Sequence, residues 1–204
     1  MRKNKTIFIL LLVAITTLVL TACENSDKGS SNEKTDLYAK KTYVNIDVKN
    51  YGTISLELYP LVAPITVDNF VSLVKSGFYD GLTFHRIIDG FMIQGGDPEG
   101  TGYGGSEKNI TGEFKANNFD NPLKHERGVI SMARGAYDYN SASSQFFIVQ
   151  TTYPSLDGQY ASFGRVTSGM DIVDKICKDT PVEDDNGTVL KENQPIIEKI
   201  YVKE

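Results

Sequence analysis

Residues 84–97 read FHRIIDGFMIQGGD, an apolar run with His85, Arg86 and Gln94 set into it. Residues 83–88 read as a strand, and strict alternation puts Phe84, Arg86 and Ile88 on one face and His85 and Ile87 on the other. In the next segment Phe91, Met92 and Gln94 lie close by. Arginine is rarely buried without a partner, and its pKa is too high for proton transfer, so Arg86 has to act as a fixed fork of hydrogen-bond donors. An arginine and an amide beside an aromatic ring and a thioether make a poor site for a charge and a good one for a neutral, half-apolar amide. The residues alone leave a second reading open, an ordinary barrel wall with an exposed arginine.

The same alternation extends in both directions. Val44, Ile46 and Val48 alternate with polar neighbours, Asn50-Tyr51-Gly52 supplies turn chemistry, and Ile54, Leu56 and Leu58 form the second arm of a hairpin ended by Pro60 and Pro64. Val67, Phe70, Val71 and Val74 then have helical spacing, with Thr66 expected as N-cap and Gly77 as the C′ residue. A second helix is expected after Ser168, which forms a capping-box pattern with Asp171; its apolar face is Met170, Val173, Ile176 and Cys177, so Cys177 reads as a small core residue. Short apolar runs at 83–88, 91–94, 128–132, 145–150 and 161–166 are punctuated by Gly, Asn and Asp. The fold class expected is all-β dominated: a closed eight-stranded antiparallel β-barrel capped by two α-helices.

At 204 residues and 40% hydrophobic content, the chain can bury one good core. The balance is acidic, with 21 Lys and Arg against 26 Asp and Glu, and no basic cluster with interleaved aromatics argues for nucleic acid. The N-terminus reads differently from the rest. A basic RKNK (2–5) precedes an apolar IFILLLVAITTLVL (7–20), shorter than the roughly 20 residues of a membrane span, as in a secretory signal. It closes on Leu20-Thr21-Ala22-Cys23, which resembles a bacterial lipobox. The organisation expected is a lipoprotein signal peptide over 1–22, a lipidated Cys23 with a disordered polar tether over 23–41, and a folded domain over 42–204. Removal of the signal takes away Arg2, Lys3 and Lys5 and leaves Cys177 without a disulfide partner within the chain.

Several chemistries lose support. His85 and His125 stand forty positions apart with no Cys or carboxylate at ligand spacing, so neither a metal nor a cofactor is expected. A Ser-His-Asp triad stays open by composition, although no G-x-S-x-G elbow supports it. His85 is expected to be a satisfied structural histidine. GTGYGG (100–105) matches G-x-G-x-x-G but neither follows a βαβ strand nor opens a helix, so it reads as a tight loop rather than a dinucleotide site.

FHRIIDGFMIQGGD, GVISMAR (128–134), SSQFFIV (143–149) and LDGQYASFGRV (156–166), in this order, resemble the cyclophilin family of peptidyl-prolyl cis–trans isomerases, over roughly 42–203. The resemblance implies a barrel of eight antiparallel strands capped by two helices. It implies that Arg86 is catalytic, that Phe91, Met92, Phe147 and Leu156 wall a proline pocket, that Gln94 and Gln145 hold the substrate backbone, and that Ala133, Arg134 and Tyr160 line the groove. Arg134 stands where an asparagine is frequent and Tyr160 where a histidine is; Ser155 stands where a tryptophan is, and for that reason the resemblance does not extend to cyclosporin sensitivity. The partners implied are proline-containing unfolded or exported polypeptides, bound by a monomer that is lipid-anchored through Cys23 at the extracytoplasmic face of a bacterial cell membrane. A module of another class, a proline-segment-binding chaperone or adhesion surface with incidental turnover, is the alternative.

Overall fold

The computed structural model describes residues 36–203; the segments read as signal peptide, lipidated Cys23 and most of the tether lie outside the described residues. The end of the segment read as tether already touches the domain. Tyr38 packs edge-on against Tyr59, with ring centroids 5.0 Å apart, and Lys41 pairs with Glu57 at 2.7 Å.

The element order is β1 (Thr42–Val48), β2 (Gly52–Leu58), α1 (Pro64–Lys75), β3 (Thr83–Ile88), β4 (Met92–Asp97), β5 (Val129–Met132), β6 (Phe146–Val149), β7 (Ser162–Ser168), α2 (Met170–Asp179) and β8 (Ile197–Val202). All eight strands lie in one antiparallel sheet in the order β3-β4-β6-β5-β7-β2-β1-β8. The sheet curls so that its two edges approach at one end. There the Phe84 N–H donates to Pro195 O at 3.0 Å and the Ile197 N–H to Leu82 O at 2.8 Å, beside a single bridge between Thr83 and Ile196. No ladder joins β3 to β8 among the described residues, so the structure is an eight-stranded curled sheet with two helices, and the full closure expected from sequence is not established.

The concave side holds the main core, in which Phe70 of α1 packs on Tyr79, Phe146 and Phe163 at centroid distances of 5.1–5.5 Å. Burying an aromatic of this size contributes about 1.5–3 kcal/mol. A second cluster, Met92, Val129, Phe147 and Val149, lies apart from this core and is joined by Phe91, Leu123, Leu156 and Tyr160. Strands β5 and β6 are therefore buried along their whole length, which is why VISM and FFIV read as continuous apolar runs rather than as alternations.

Three local expectations are corrected. Phe84 and Arg86 do not share a face: Phe84 pairs with Gly95 and Arg86 with Gln94, so His85 is an extra residue and strict alternation breaks there. Phe84 and Ile87 enter the core, while Arg86 and Ile88 emerge on the other side. On β4 the compensating unpaired residue is Gly96, at φ +83°, where a Cβ would lie 2.7 Å from Ser144 O. Thr66 is not the N-cap of α1. The helix begins at Pro64 after Ala63, and Thr66 is buried inside the first turn, where its hydroxyl donates to Glu113 at 2.7 Å. Glu113 also accepts from the N–H groups of Ile65 and Thr66 at 3.0 and 2.8 Å, so a carboxylate from a distant loop caps the helix and meets the positive end of its dipole. Ser168 likewise is the last residue of β7, and α2 starts after Gly169 without a side-chain cap. Gly77 is the C′ residue as expected, at φ +74°; its N–H donates to Val74 O and that of Phe78 to Leu73 O, the paired bonds of a Schellman ending. Cys177 is buried in the core as expected.

Glu113→Ala leaves two backbone donors and a hydroxyl unpaired at a buried helix end. The expected loss is about 2–4 kcal/mol of unfolding free energy in urea titration, with Glu113→Gln intermediate. A loss below about 0.5 kcal/mol would show that the carboxylate does not cap the helix.

Candidate functional site

A groove of about 660 Å³ opens beside the strand group β3-β4-β6. Nine of the ten residues singled out in the sequence line it: Arg86, Phe91, Met92, Gln94, Ala133, Arg134, Phe147, Leu156 and Tyr160. The tenth, Gln145, lines an adjoining cavity of about 430 Å³ that shares Gln94, Ala133 and Arg134 with the first. Met92 and Phe147 are almost fully buried and form an apolar floor, with Tyr160 edge-on to Phe147 at 5.8 Å between centroids. Ser155 is exposed on a short 3-10 turn, Pro154–Leu156, and Tyr153 lays its ring 4.5 Å from that of Phe91.

The Arg86 guanidinium is half-buried and held from two sides. Its Nε donates to Asn186 O at 2.8 Å, Nη2 to Asn186 Oδ1 at 3.1 Å, and Nη1 to Gln94 Oε1 at 3.1 Å. Gln94 passes the constraint on, its Nε2 donating to Gln145 Oε1 at 2.9 Å. The Gln145 Nε2 donates in turn to the carbonyls of Gly102 and Gly104, at 3.0 and 2.7 Å. Three of the five guanidinium N–H groups are thus engaged and two are left for a ligand. Burial pushes the Arg86 pKa below its usual 12.5, Tyr160 and Asp184 act in the opposite sense, and the group stays cationic at neutral pH.

Asn186 was invisible in the sequence. It sits on a segment that adds to the free edge of β3: the Ile87 N–H donates to Gly187 O at 2.8 Å and the Val189 N–H to His85 O at 3.1 Å. The Asp184 carboxylate fastens that turn by accepting from the Thr188 N–H and hydroxyl, which holds its pKa below the usual carboxylate range. An Asp-Asp-Asn-Gly run signals a turn, but nothing local says that the turn lies behind Arg86.

The glycine-rich stretch 100–105 also belongs to the site. It wraps the Asp97 carboxylate, which accepts from the N–H groups of Glu99, Thr101 and Gly102 at 2.8, 2.9 and 2.5 Å. Burial alone would raise the Asp97 pKa, but these backbone donors outweigh it and hold the group below 3.8. The loop is a tight turn, as its glycines imply, and its fixed carbonyls meet Gln145.

His85 is corrected. It is buried and its ring lines the groove rather than the core, with Asp97 and Gln145 favouring its charged form and neither nitrogen at full hydrogen-bond geometry to a described residue. His125 is the satisfied one. Its Nδ1 lies 3.1 Å from Asp157 Oδ1 and its Nε2 3.0 Å from Ser131 Oγ, and its ring stacks on Phe147 at 6.0 Å and 15°. This is the connectivity of a Ser-His-Asp triad, but Ser131 is fully buried and no acyl group can reach it. Among the described residues, no group of three or more His, Cys, Asp or Glu is placed to hold a metal ion.

An apolar floor beside a fixed, partly unused arginine fork is chemically suited to a neutral amide next to an apolar ring. The cyclophilin type peptidyl-prolyl cis-trans isomerase/CLD family matches residues 43–202. A peptidyl-prolyl cis-trans isomerase of Helicobacter pylori strain J99 is 47% identical over 145 residues, 70% of this chain and 85% of that one. Peptidyl-prolyl cis-trans isomerase B of Bacillus subtilis strain 168 is 47% identical over 139 residues, covering 68% of this chain and 87% of the relative. A crystal structure of a Cryptosporidium parvum cyclophilin type peptidyl-prolyl cis-trans isomerase in the presence of the dipeptide Ala-Pro superposes with a TM-score of 0.70 at 34% identity, over 79% of this chain and 99% of that one. The chain belongs to the cyclophilin-type peptidyl-prolyl cis–trans isomerases.

Burial lowers the pKa of both histidines below 6.5, although Asp97 opposes this for His85 and Asp157 for His125. The unfolded chain therefore binds more protons just below pH 6.5, and the stability contributed by the two neutral rings, complete above that pH, falls as the pH drops toward their folded-state values. Imidazole C–H resonances are expected to titrate with midpoints below 6.5 for both rings, with urea midpoints declining below that pH. A titration midpoint at or above 6.5 for either ring contradicts this.

Proposed function

We propose that this chain catalyses X-Pro isomerisation in exported polypeptides, with Arg86 as the catalytic donor, while tethered through Cys23 to the outer face of the cytoplasmic membrane. The carrying observation is the Arg86 fork, fixed by Asn186 and Gln94 with two donors unused beside the Met92 and Phe147 floor.

Rotation about an X-Pro amide loses resonance across a barrier of about 18–20 kcal/mol and takes tens of seconds unassisted. As the amide twists, the imide nitrogen regains a lone pair. A donor aimed at that nitrogen binds the twisted form more strongly than the planar one, which is the difference that lowers a barrier. Arg86 supplies the donor, and because it never titrates it supplies it at every physiological pH. Phe91, Met92, Phe147 and Leu156 hold the pyrrolidine ring, and Tyr160 closes the pocket from the side. Gln94, Gln145 and the backbone at Ala133 hold the client chain while the carbonyl before proline swings. Acceleration from tens of seconds to about a millisecond is ~10⁴-fold, or roughly 5–6 kcal/mol. One charged hydrogen bond with exclusion of water and positioning is of that order.

The membrane part of the proposal is supported by the basic start, the short apolar run and the Leu-Thr-Ala-Cys sequence ending at Cys23. One acyl chain binds a bilayer only marginally, so a stable anchor takes at least two at that cysteine. A monomer suffices for the reaction, since one chain supplies every residue named.

Arg86→Ala is expected to lower kcat/KM on proline peptides by about 10²–10³-fold with the fold intact. Equal rates for the variant and the wild type would remove the catalytic role. For the anchor, mass spectrometry of the mature protein from bacterial membranes is expected to find acyl chains on Cys23, and Cys23→Ala to leave the protein unlipidated. An unmodified N-terminus in the wild type would refute the lipoprotein reading.

A further inference from the structure

Arg134 lines both cavities and its guanidinium is rigidly placed. Its Nε donates to Gln159 O at 3.1 Å and its Nη1 to the carbonyls of Gly135 and Ala136 at 2.9 and 3.3 Å. The rings of Phe114, Tyr139 and Tyr160 lie around it, with centroids 5.3, 4.9 and 4.8 Å from its central carbon. Three carbonyls and three ring faces stabilise a cation without neutralising it. None of the six ion pairs among the described residues includes Arg134, and its Nη2 has no hydrogen-bond partner among them.

The surroundings sharpen this. Among the described residues that line the second cavity, Arg134 is the only charged one; the remaining wall is mostly glycine, serine, Asn109 and the two glutamines. Among the described residues no carboxylate lines either cavity, although acidic residues outnumber basic ones in the chain, 26 to 21. Two carboxylates stand behind the walls: Asp97, which acts on His85 and is enclosed by the N–H groups of Glu99, Thr101 and Gly102, and Asp184, which acts on Arg86 and is engaged by Thr188. Among the described residues lining the two cavities, Arg86 and Arg134 thus carry the only fixed charges, and a side chain entering there meets them across low-dielectric walls.

We infer that Arg134 determines client specificity: its unused Nη2 donors select X-Pro segments that carry an acidic side chain on the residue entering the second cavity. The inference rests on the isomerase reading above and adds a charge preference to it. Of 430 Å³, the second cavity has room for a Glu or Asp side chain, and its hydroxyl and amide lining can complete the shell of a carboxylate that Arg134 anchors. A lysine entering the same space meets a fixed cation and no acceptor of opposite charge, which costs affinity.

The test uses the full domain, 36–204, beside the full-length chain, and end-blocked peptides with Glu, Gln or Lys at each of the two positions on either side of X-Pro. Exchange rates are read by NMR exchange spectroscopy, which needs no coupling protease with preferences of its own. The expected result is a Glu-to-Lys ratio in kcat/KM of about fivefold at one flank position at low salt. It should fall toward parity near 0.5 M salt, where the screening length shrinks to a few ångströms. The ratio within each variant is compared, so that any general loss of activity cancels: Arg134→Gln should bring it to parity, and Arg134→Lys should keep it above parity. A wild-type ratio near one at every position, a ratio insensitive to salt, a ratio unchanged in Arg134→Gln, or one lost equally in Arg134→Lys would each overturn the inference. Absence of exchange on all peptides, the Gln series included, would instead bring down the isomerase reading and this one with it. The salt dependence is measured on wild type alone and decides the matter even if Arg134→Gln does not fold.

Discussion

The site depends on one extra residue in one strand. Had β3 kept strict alternation, Arg86 would point with Phe84 into an interior where Phe84 is fully buried. An unpaired guanidinium there would cost several kcal/mol, more than a domain of this size has to spare. The unpaired His85 shifts the phase, so that Phe84 and Ile87 fill the core while Arg86 leaves it for the groove. The shift also sets His85, largely buried, into the wall of the groove. Gly96 makes the arrangement possible on the facing strand, where the Ser144 carbonyl leaves no room for a side chain.

The bulge also explains the traffic of loops toward β3. An edge strand with an irregular ladder has free backbone groups, and the segment carrying Gly187 and Val189 satisfies those of His85 and Ile87. In covering the edge it delivers Asn186 to the back of the guanidinium. From the other side, Gln94 and Gln145 connect the same group to the carbonyls of the loop that is itself wound around Asp97. Edge protection and preorganisation of the fork are thus accomplished by the same contacts, between segments about a hundred positions apart in sequence.

What could be read from sequence follows this distinction between local and distant causes. The β1–β2 hairpin was legible because one face is buried and the alternation is clean, and α1 because four apolar residues recur at helical spacing. Strand β8 was not, since its partner register skips Glu198 and its buried residues, Ile197 and Ile200, fall three apart. The caps at Thr66 and Ser168 were misread because local patterns compete with partners the chain brings from elsewhere: Glu113 lies in a loop forty-seven positions from Thr66. Arg86 and Gln94 stand out locally as polar groups set into an apolar run, with Phe91 and Met92 close by, whereas the other groove residues came only from the resemblance of four motifs. Residues outside those motifs, Asn186 and the 100–105 carbonyls, needed the fold.

The buried Ser131, His125 and Asp157 show why connectivity alone does not define chemistry. Burial lowers the His125 pKa against the pull of Asp157, and the ring places Nδ1 3.1 Å from the Asp157 carboxylate and Nε2 3.0 Å from the Ser131 hydroxyl. A hydrolase would need that hydroxyl exposed beside an oxyanion hole; here it faces inward from β5, directly across the ladder from Phe147. The same three residues have a mechanical effect instead. Asp157 follows Leu156 on its turn, the His125 carbonyl accepts from the Tyr153 N–H at 2.9 Å, and the ring stacks on Phe147. The imidazole thus ties a wall on a loop to the floor on a strand, and a pocket that must grip a proline ring while the adjoining amide rotates requires walls that do not move with it.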